Sequence, residues 1–319
     1  MLFSWHIFLF LVAGWEVNVT RKTRVYVVPD NETSLISGLQ VCQPQGDVTA
    51  PNLVVVVCSA PGHIEARHAI RETWARHNIS SVRIAFILGI TTNVSLQALI
   101  EEENDGFRDI IQENFMDTYN NLTVKSVMML KWFIRHCPHT HYLMKTDDDM
   151  FINTTLGMTT DTPVNMTRLL IGSLICRARP IIDANSKWYN PKYMYSKKFY
   201  PNYLSGTGYV MSRDVAIKLY RSALSTSLIH LEDVFITGIC AAKAGVRPRN
   251  HPIFTYQHVG INCLHPKLAT NHRLSPSQLR TAWRNRHTNC TMQSSTTTPR
   301  PHSNHGRHAN IVPSRNTCQ

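Results

Sequence analysis

Three carboxylates in a row, Asp147-Asp148-Asp149, follow the largely apolar stretch His141-Tyr142-Leu143-Met144-Lys145. Adjacent carboxylates repel one another and suit neither a strand nor a core, so something must offset them. In an extended segment Asp147 and Asp149 point to one side and Asp148 to the other. Two carboxylates on one side can hold Mn²⁺ or Mg²⁺, hard ions that take oxygen ligands, and a diphosphate would supply more oxygens. A bare Asp triplet is also a solvated acidic turn; its place directly after an apolar strand favours the metal reading.

Other residues are ambiguous by type alone. Glu232-Asp233 precedes the apolar Val234-Phe235-Ile236, where a carboxylate serves as a base or simply caps a helix. Arg67 and Arg71, one turn apart, can grip a phosphate or cover a helix face. The dense aromatics Trp188, Tyr189, Tyr193, Tyr195, Phe199, Tyr200 and Tyr203 form either a sugar platform or packing. His272 is one of 16 histidines, and composition does not single it out.

The elements that position these residues can be read from apolar patterning. Leu53 to Cys58 is apolar on both faces, as a central strand of a covered parallel sheet must be. Ser59-Ala60-Pro61-Gly62 turns the chain into a helix over 63–74, with Ala66, Ile70 and Trp74 on one face. A strand over 82–88, a helix over 95–103, a short strand at 110–111 and a helix over 123–135 lead to the strand at 141–145. This alternation predicts an α/β sheet with the site beyond the strand C-termini. Helices are expected at 213–223 and 234–244.

The flanks differ in composition. Residues 17–50 lack periodicity and read as a stem, with the boundaries placed at 21–50. From 287 to 319 the chain is Ser/Thr/Pro/His/Arg-rich and reads as a disordered tail. The folded part is expected at 51–286. Residues 1–20 hold an apolar stretch without a charge before Glu16, which reads as a signal peptide or a short signal-anchor tying the protein to a membrane. The formal charge of +12 includes five arginines in an acid-free C-terminal segment. With no dense basic run, zinc-finger spacing or RNP-like motif, it argues against nucleic acid; a nucleotide diphosphate would equally welcome it. Eight cysteines contain no CxxC pair, and eight Asn-X-Ser/Thr sequons fit a luminal chain with some disulfides.

Five blocks, in order, carry a resemblance to the β-1,3-galactosyltransferase family, which includes the β-1,3-N-acetylglucosaminyltransferases and the Fringe and Brainiac enzymes. They are SAPGHIEARHAIRETW from Ser59, DIIQENFMDTYNNLTVK from Asp109, YLMKTDDDMFIN from Tyr142, YPNYLSGTGYVMSRDVA from Tyr200 and LEDVFITGICAAKAGV from Leu231. The resemblance runs from about Asn52 to Trp283. It implies an α/β GT-A glycosyltransferase fold, with a Rossmann-like nucleotide-binding half, a mixed sheet and an acceptor-binding half. It also implies inverting transfer from a UDP-sugar to a 3-hydroxyl of a glycan acceptor on a glycoprotein or glycolipid, in the Golgi membrane with a luminal catalytic part. UDP-galactose is favoured by overall resemblance, with UDP-GlcNAc the alternative donor.

Carried over position by position, Asp233 would be the catalytic base. Asp147, Asp149 and His272 would meet the metal, Mn²⁺ or Mg²⁺, with Asp149 the direct ligand. Ser59, Arg67, Arg71, Asp147 and Asp148 would border the uridine diphosphate, and Trp188, Tyr189 and Glu232 the acceptor. At the ordinary carboxylate pKa of ~3.9, Asp233 would stay ionised in a mildly acidic lumen. Leu204 stands where relatives often carry cysteine. Rival readings are a catalytically silent glycan-binding relative, and a phosphohydrolase or nuclease for which the Asp triplet alone would serve.

Overall fold

The computed structural model describes residues 20–43, 50–76, 81–153, 167–257, 270–286 and 318. In chain order these include α1 (Thr23–Val27), β1 (Ser34–Ile36), β2 (Leu53–Cys58), α2 (Ile64–Glu72), β3 (Val82–Ile90), α3 (Val94–Phe107), β4 (Ile110–Met116), α4 (Leu122–His136) and β5 (Tyr142–Asp147). There follow β6 (Phe151–Ile152), β7 (Leu170–Ile175), β8 (Tyr203–Ser212), α5 (Arg213–Leu224), a π-helical segment Val234–Cys240, β9 (Arg249–Asn250), β10 (Thr270–Asn271) and α6 (Pro276–Arg284).

One eight-stranded mixed sheet, ordered β1-β4-β3-β2-β5-β8-β7-β9, carries the α/β architecture expected from the resemblance. Strands β4, β3, β2 and β5 run parallel, and β8 joins β5 antiparallel. Every residue of β2 is buried, because helices cover both faces. Its side chains alternate between two cores: Val54 and Val56 pack with α4 and α5, whereas Leu53, Val55 and Val57 pack with α2 and α6. Helix α4 is buried without a break from Thr123 to Phe133, so even Lys125 and Lys131 lie inside, each held by oxygen acceptors.

Residues 20–43, which overlap the stretch at 21–50 expected as a stem, pack against the sheet. Strand β1 extends the sheet antiparallel to β4, and α1 packs against α4. Lys131 donates to the carbonyls of Val27 and Val28 at 3.0 and 3.1 Å, and the Trp132 indole to Ser37 O at 2.7 Å. A disulfide, Cys42–Cys137, fastens this segment to the end of α4. A three-residue edge strand has too few side chains to show a period, so patterning cannot reveal it.

The segment after Asp233 also departs from a regular α-helix. Thr237 Oγ1 donates to the Asp233 carbonyl at 2.6 Å and accepts from Leu204 N–H at 2.8 Å, and the chain widens into a π-helix from Val234 to Cys240. Leu204 is fully buried opposite Leu174 on β7. Cys176, the residue after this strand, is bridged to Cys318. The apolar stretch at 1–19 and most of the Ser/Thr/Pro/His/Arg-rich stretch lie outside the described residues. Among those described, no helix is long and apolar enough to cross a membrane.

Candidate active site

The site lies beyond the carboxyl ends of β2 and β5, where Cys58 is paired with Asp147 and the two strands release their loops side by side. Strand β5 ends at Asp147 and a turn begins, so the three aspartates diverge. Asp147 receives the Lys145 ammonium at 2.7 Å. Asp148 accepts the Ser59 hydroxyl at 2.7 Å and contacts His63 Nδ1 at 2.8 Å. Asp149 lies on the side of His272, whose charge favours its ionised form. The mutual repulsion of the triplet is thus answered by three different partners.

The electrostatics follow. Burial, and to a lesser degree Asp149 and Glu232, push Asp147 up to about 6 against the pull of Lys145. Asp148 is held below the usual carboxylate range, because hydrogen bonds from His63 and Ser59 outweigh its burial. Asp149 is raised, by burial first and then by Asp148 beside it.

Glu232 and Asp233 lead into the π-helical segment. Asp233 Oδ1 accepts from Val234 N–H at 2.8 Å, which is the capping contact; Oδ2 accepts from Gly206 N–H at 3.2 Å. Burial, then the neighbouring Glu232, push Asp233 up to about 6. The ordinary carboxylate value expected from sequence therefore does not hold here. Glu232 points inward: Oε1 accepts the Tyr209 hydroxyl at 2.5 Å, and Oε2 lies 3.3 Å from Lys145.

Lys145 joins the two segments. It is fully buried, pairs with Asp147 and Glu232, and donates to Gly206 O at 2.8 Å, the residue whose N–H holds Asp233. A lysine can occupy the core here because all three of its N–H groups can find oxygen acceptors.

Comparison with known proteins settles the family. Residues 65–252, more than half of the chain, match the galactosyltransferase family model. The chain belongs to the galactosyltransferase family. It is 38% identical over 274 residues to beta-1,3-galactosyltransferase 2 of Mus musculus, covering 80% of this chain and 63% of that protein. It is 36% identical over 239 residues to beta-1,3-galactosyltransferase 1 of the same species, covering 73% of each. The chain thus spans 63% of the length of the first of these relatives. A solved bifunctional glycosyltransferase, WbbM, is distantly similar, at 12% identity and a TM-score of 0.38 over 66% of this chain and 40% of that one.

Arg67 and Arg71, expected from the resemblance to border a uridine diphosphate, are already engaged by carboxylates. Arg67 is fully buried and gives Nε and Nη2 to Glu103, while Nη1 reaches Ser59 Oγ at 3.1 Å and Ala60 O at 2.8 Å. Arg71 pairs with Glu103 at 2.6 Å and Asp109 at 2.8 Å, stacked between the rings of Phe86 and Phe107. These pairs fasten α2 to α3 and to the residue just before β4. Arg67 still serves the site by holding Ser59, which in turn holds Asp148. Lys125 does the same from α4: its ammonium donates to Ser59 O at 2.6 Å and pairs with Asp117 at 2.9 Å.

Of the residues expected at the acceptor, Trp188 is 39% exposed, and Tyr119 is 50% exposed. Tyr119 belongs to the same locality: burial, then Asp233, raise its pKa, and Trp188 opposes the rise. Lys187 lies 4.9 Å from the Trp188 ring centre and 5.8 Å from that of Tyr119. Tyr189 is half-buried behind them, bridged to Ile181. Tyr119, Lys145 and His63 are absent from the set read from sequence. Lys145 had a signal, since a lysine two residues before Asp147 shares its strand face; Tyr119 and His63 had none.

His272 reaches the site through β10, which pairs antiparallel with β6, and Leu274 N–H donates to Asp149 O at 3.0 Å. Among the described residues, no three His, Cys, Asp or Glu side chains converge as a ligand set. Asp149 and His272 bring one carboxylate and one imidazole together, donor types that suit a hard or borderline divalent cation but too few for an all-protein cage.

Proposed function

We propose that this chain is an inverting β-1,3-hexosyltransferase that moves galactose from UDP-galactose to the 3-hydroxyl of an acceptor sugar on a glycoprotein or glycolipid. The observation that carries the reading is Asp233. Its carboxylate is tethered by two backbone N–H groups and raised to about 6, and the residue follows Glu232, which shares the Lys145 ammonium with Asp147. A base near that value ionises at neutral pH yet accepts a proton more readily than an ordinary aspartate.

In the reaction, Asp233 removes the proton from the acceptor hydroxyl as that oxygen bonds to the anomeric carbon. The bond from that carbon to the diphosphate oxygen breaks, and UDP leaves with the electron pair. Attack opposite the leaving group inverts the anomeric configuration, and no covalent intermediate on the protein is needed. Asp149 and His272 would hold Mn²⁺ or Mg²⁺, which when bound offsets charge on the leaving diphosphate. Ser59, fixed by Arg67 and Lys125, orients Asp148 on the donor side. Glu232 keeps Asp233 elevated and is itself restrained by Tyr209 and Lys145. Trp188 and Tyr119 offer ring faces to the acceptor sugar.

The cross-link between Cys42 and Cys137 supports a luminal setting, because disulfides persist in the secretory pathway. A Golgi membrane location, held by the N-terminal apolar segment, belongs to the same proposal. The donor is tested by supplying UDP-galactose and UDP-GlcNAc separately, with Mn²⁺ and terminal GlcNAc, GalNAc, galactose and mannose acceptors. Transfer from UDP-galactose is expected; transfer from UDP-GlcNAc alone would replace the donor assignment.

A further inference from the structure

Positive charge is distributed unevenly over this surface. The buried cations Arg67, Arg71, Lys125 and Lys145 each have a carboxylate partner. Between residues 177 and 199 the pattern reverses. Arg177, Arg179, Lys187, Lys192, Lys197 and Lys198 are all exposed, and among the described residues none forms an ion pair. The single acid in that stretch, Asp183, is exposed and accepts from Asn185 N–H.

This stretch is a fixed surface that adjoins the acceptor side. Tyr200 N–H donates to Ala178 O at 2.9 Å, Asn190 Nδ2 to the Tyr200 hydroxyl at 2.7 Å, and the Tyr195 hydroxyl to Phe199 O at 2.9 Å. Tyr200 and Tyr203 are both close enough to Asp233 to feel its charge. Three cations, Arg177, Arg179 and Lys198, surround the Phe199 ring at 5.2 to 5.8 Å. Lys187 stands at the exposed Trp188 and Tyr119 rings. Aromatic faces that stack on sugars, edged by unpaired ammonium and guanidinium groups, match a glycan bearing negative charge.

We propose that this rim selects acceptor glycans carrying an acidic group, a carboxylate or a sulfate, close to the sugar that receives galactose. The inference rests on the reading of Asp233 as the transfer centre, since that places the rim on the acceptor side. The acidic group pairs with Lys187 and the arginines around Phe199 while the neutral ring lies on Trp188 and Tyr119.

The test is binding of the full chain to a chondroitin tetrasaccharide in three forms: sulfated, desulfated, and desulfated with its carboxyls reduced. At 150 mM salt, at least one acidic form should bind roughly tenfold more tightly than the neutral one, as two or three exposed ion pairs would supply. Which acidic form leads identifies sulfate or carboxylate. The preference should vanish in the combined variant R179Q/K187Q/K198Q. It should survive in K218Q/R221Q/R247Q, which removes equal charge elsewhere. Equal affinity for all three forms, or equal loss in both variants, would overturn the proposal. So would tighter binding to phosphatidylserine vesicles than to any oligosaccharide, which would give the rim to a membrane surface. UDP-galactose binding is measured in parallel: a chain that prefers the acidic sugar but binds no donor contradicts the transferase reading and not the rim.

Discussion

Lys145 and Asp147, two residues apart on one face of β5, form an ion pair 2.7 Å long in which the lysine is fully buried and the aspartate remains one-third exposed. The pair is therefore sealed at the lysine and open to solvent at the aspartate. Because Lys145 also reaches Glu232 and Gly206 O, one ammonium ties β5 to β8 and to the segment that carries Asp233.

Removal of that ammonium should be costly. Lys145→Met leaves Glu232 buried and Asp147 half-buried without their cation, and breaking such a pair typically costs about 3–5 kcal/mol. Urea denaturation at neutral pH should show a loss of that order. Lys145→Met/Glu232→Gln should recover part of it, because the second change removes one uncompensated charge.

The pH dependence follows from Asp233. With its pKa raised to about 6, kcat/KM should fall about tenfold per pH unit below that value, as the base becomes protonated. The folded pKa lies above the unfolded one, so protonation of Asp233 contributes stability that is fully present below about 3.8 and lost as pH rises through about 6. Asp233→Asn should therefore be more stable than the parent at pH 7.5, by roughly 1–2 kcal/mol after allowance for its partial exposure. A pH-rate profile and paired melts at pH 4 and 7.5 check both signs.

Arg71 should behave as a structural residue. Its guanidinium is spent on Glu103 and Asp109 and lies over Phe86 and Phe107. Arg71→Ala should lower stability by about 3 kcal/mol or more. The KM for donor should change less than threefold in whatever fraction remains folded; a tenfold rise in donor KM at unchanged stability would assign Arg71 to the phosphates instead.

Trp188→Ala should separate the two substrates. Loss of a stacking face should raise acceptor KM by about five- to twentyfold, in line with 1–2 kcal/mol of ring contact, and leave donor KM within twofold. Steady-state kinetics with each substrate varied in turn would show the split.

The disulfide predicts a further stability effect. Cys42–Cys137 closes a loop of 95 residues, for which chain entropy alone gives roughly 4–5 kcal/mol. Cys42→Ser/Cys137→Ser should unfold at correspondingly lower urea, with β1 and α1 losing amide-exchange protection first.

What could be read from sequence divides along physical lines. The strands β2, β3 and β5 announce themselves because a two-sided core demands largely apolar runs, and α4 because its length exceeds any strand. The turn that splits Asp147, Asp148 and Asp149 was hidden, since an extended reading sends two of them one way. Spacing left Arg67 and Arg71 open between gripping a phosphate and covering a helix face, because it shows that two cations share a face but not that Glu103 and Asp109 lie across from it. The docking of residues 20–43 was equally invisible, depending on Lys131 and Trp132 a hundred residues away. Long-range partners decide these cases, and a local pattern carries no information about them.

The central claim is that Asp233 removes the acceptor proton, and Asp233→Asn tests it most directly. The amide keeps the shape of the carboxylate and one oxygen for the cap, so the fold should persist. Transfer of galactose from UDP-galactose should fall by about 10²–10⁴-fold while UDP-galactose affinity stays within threefold. Transfer retained within tenfold in a folded, donor-binding variant would contradict the account and move the base elsewhere.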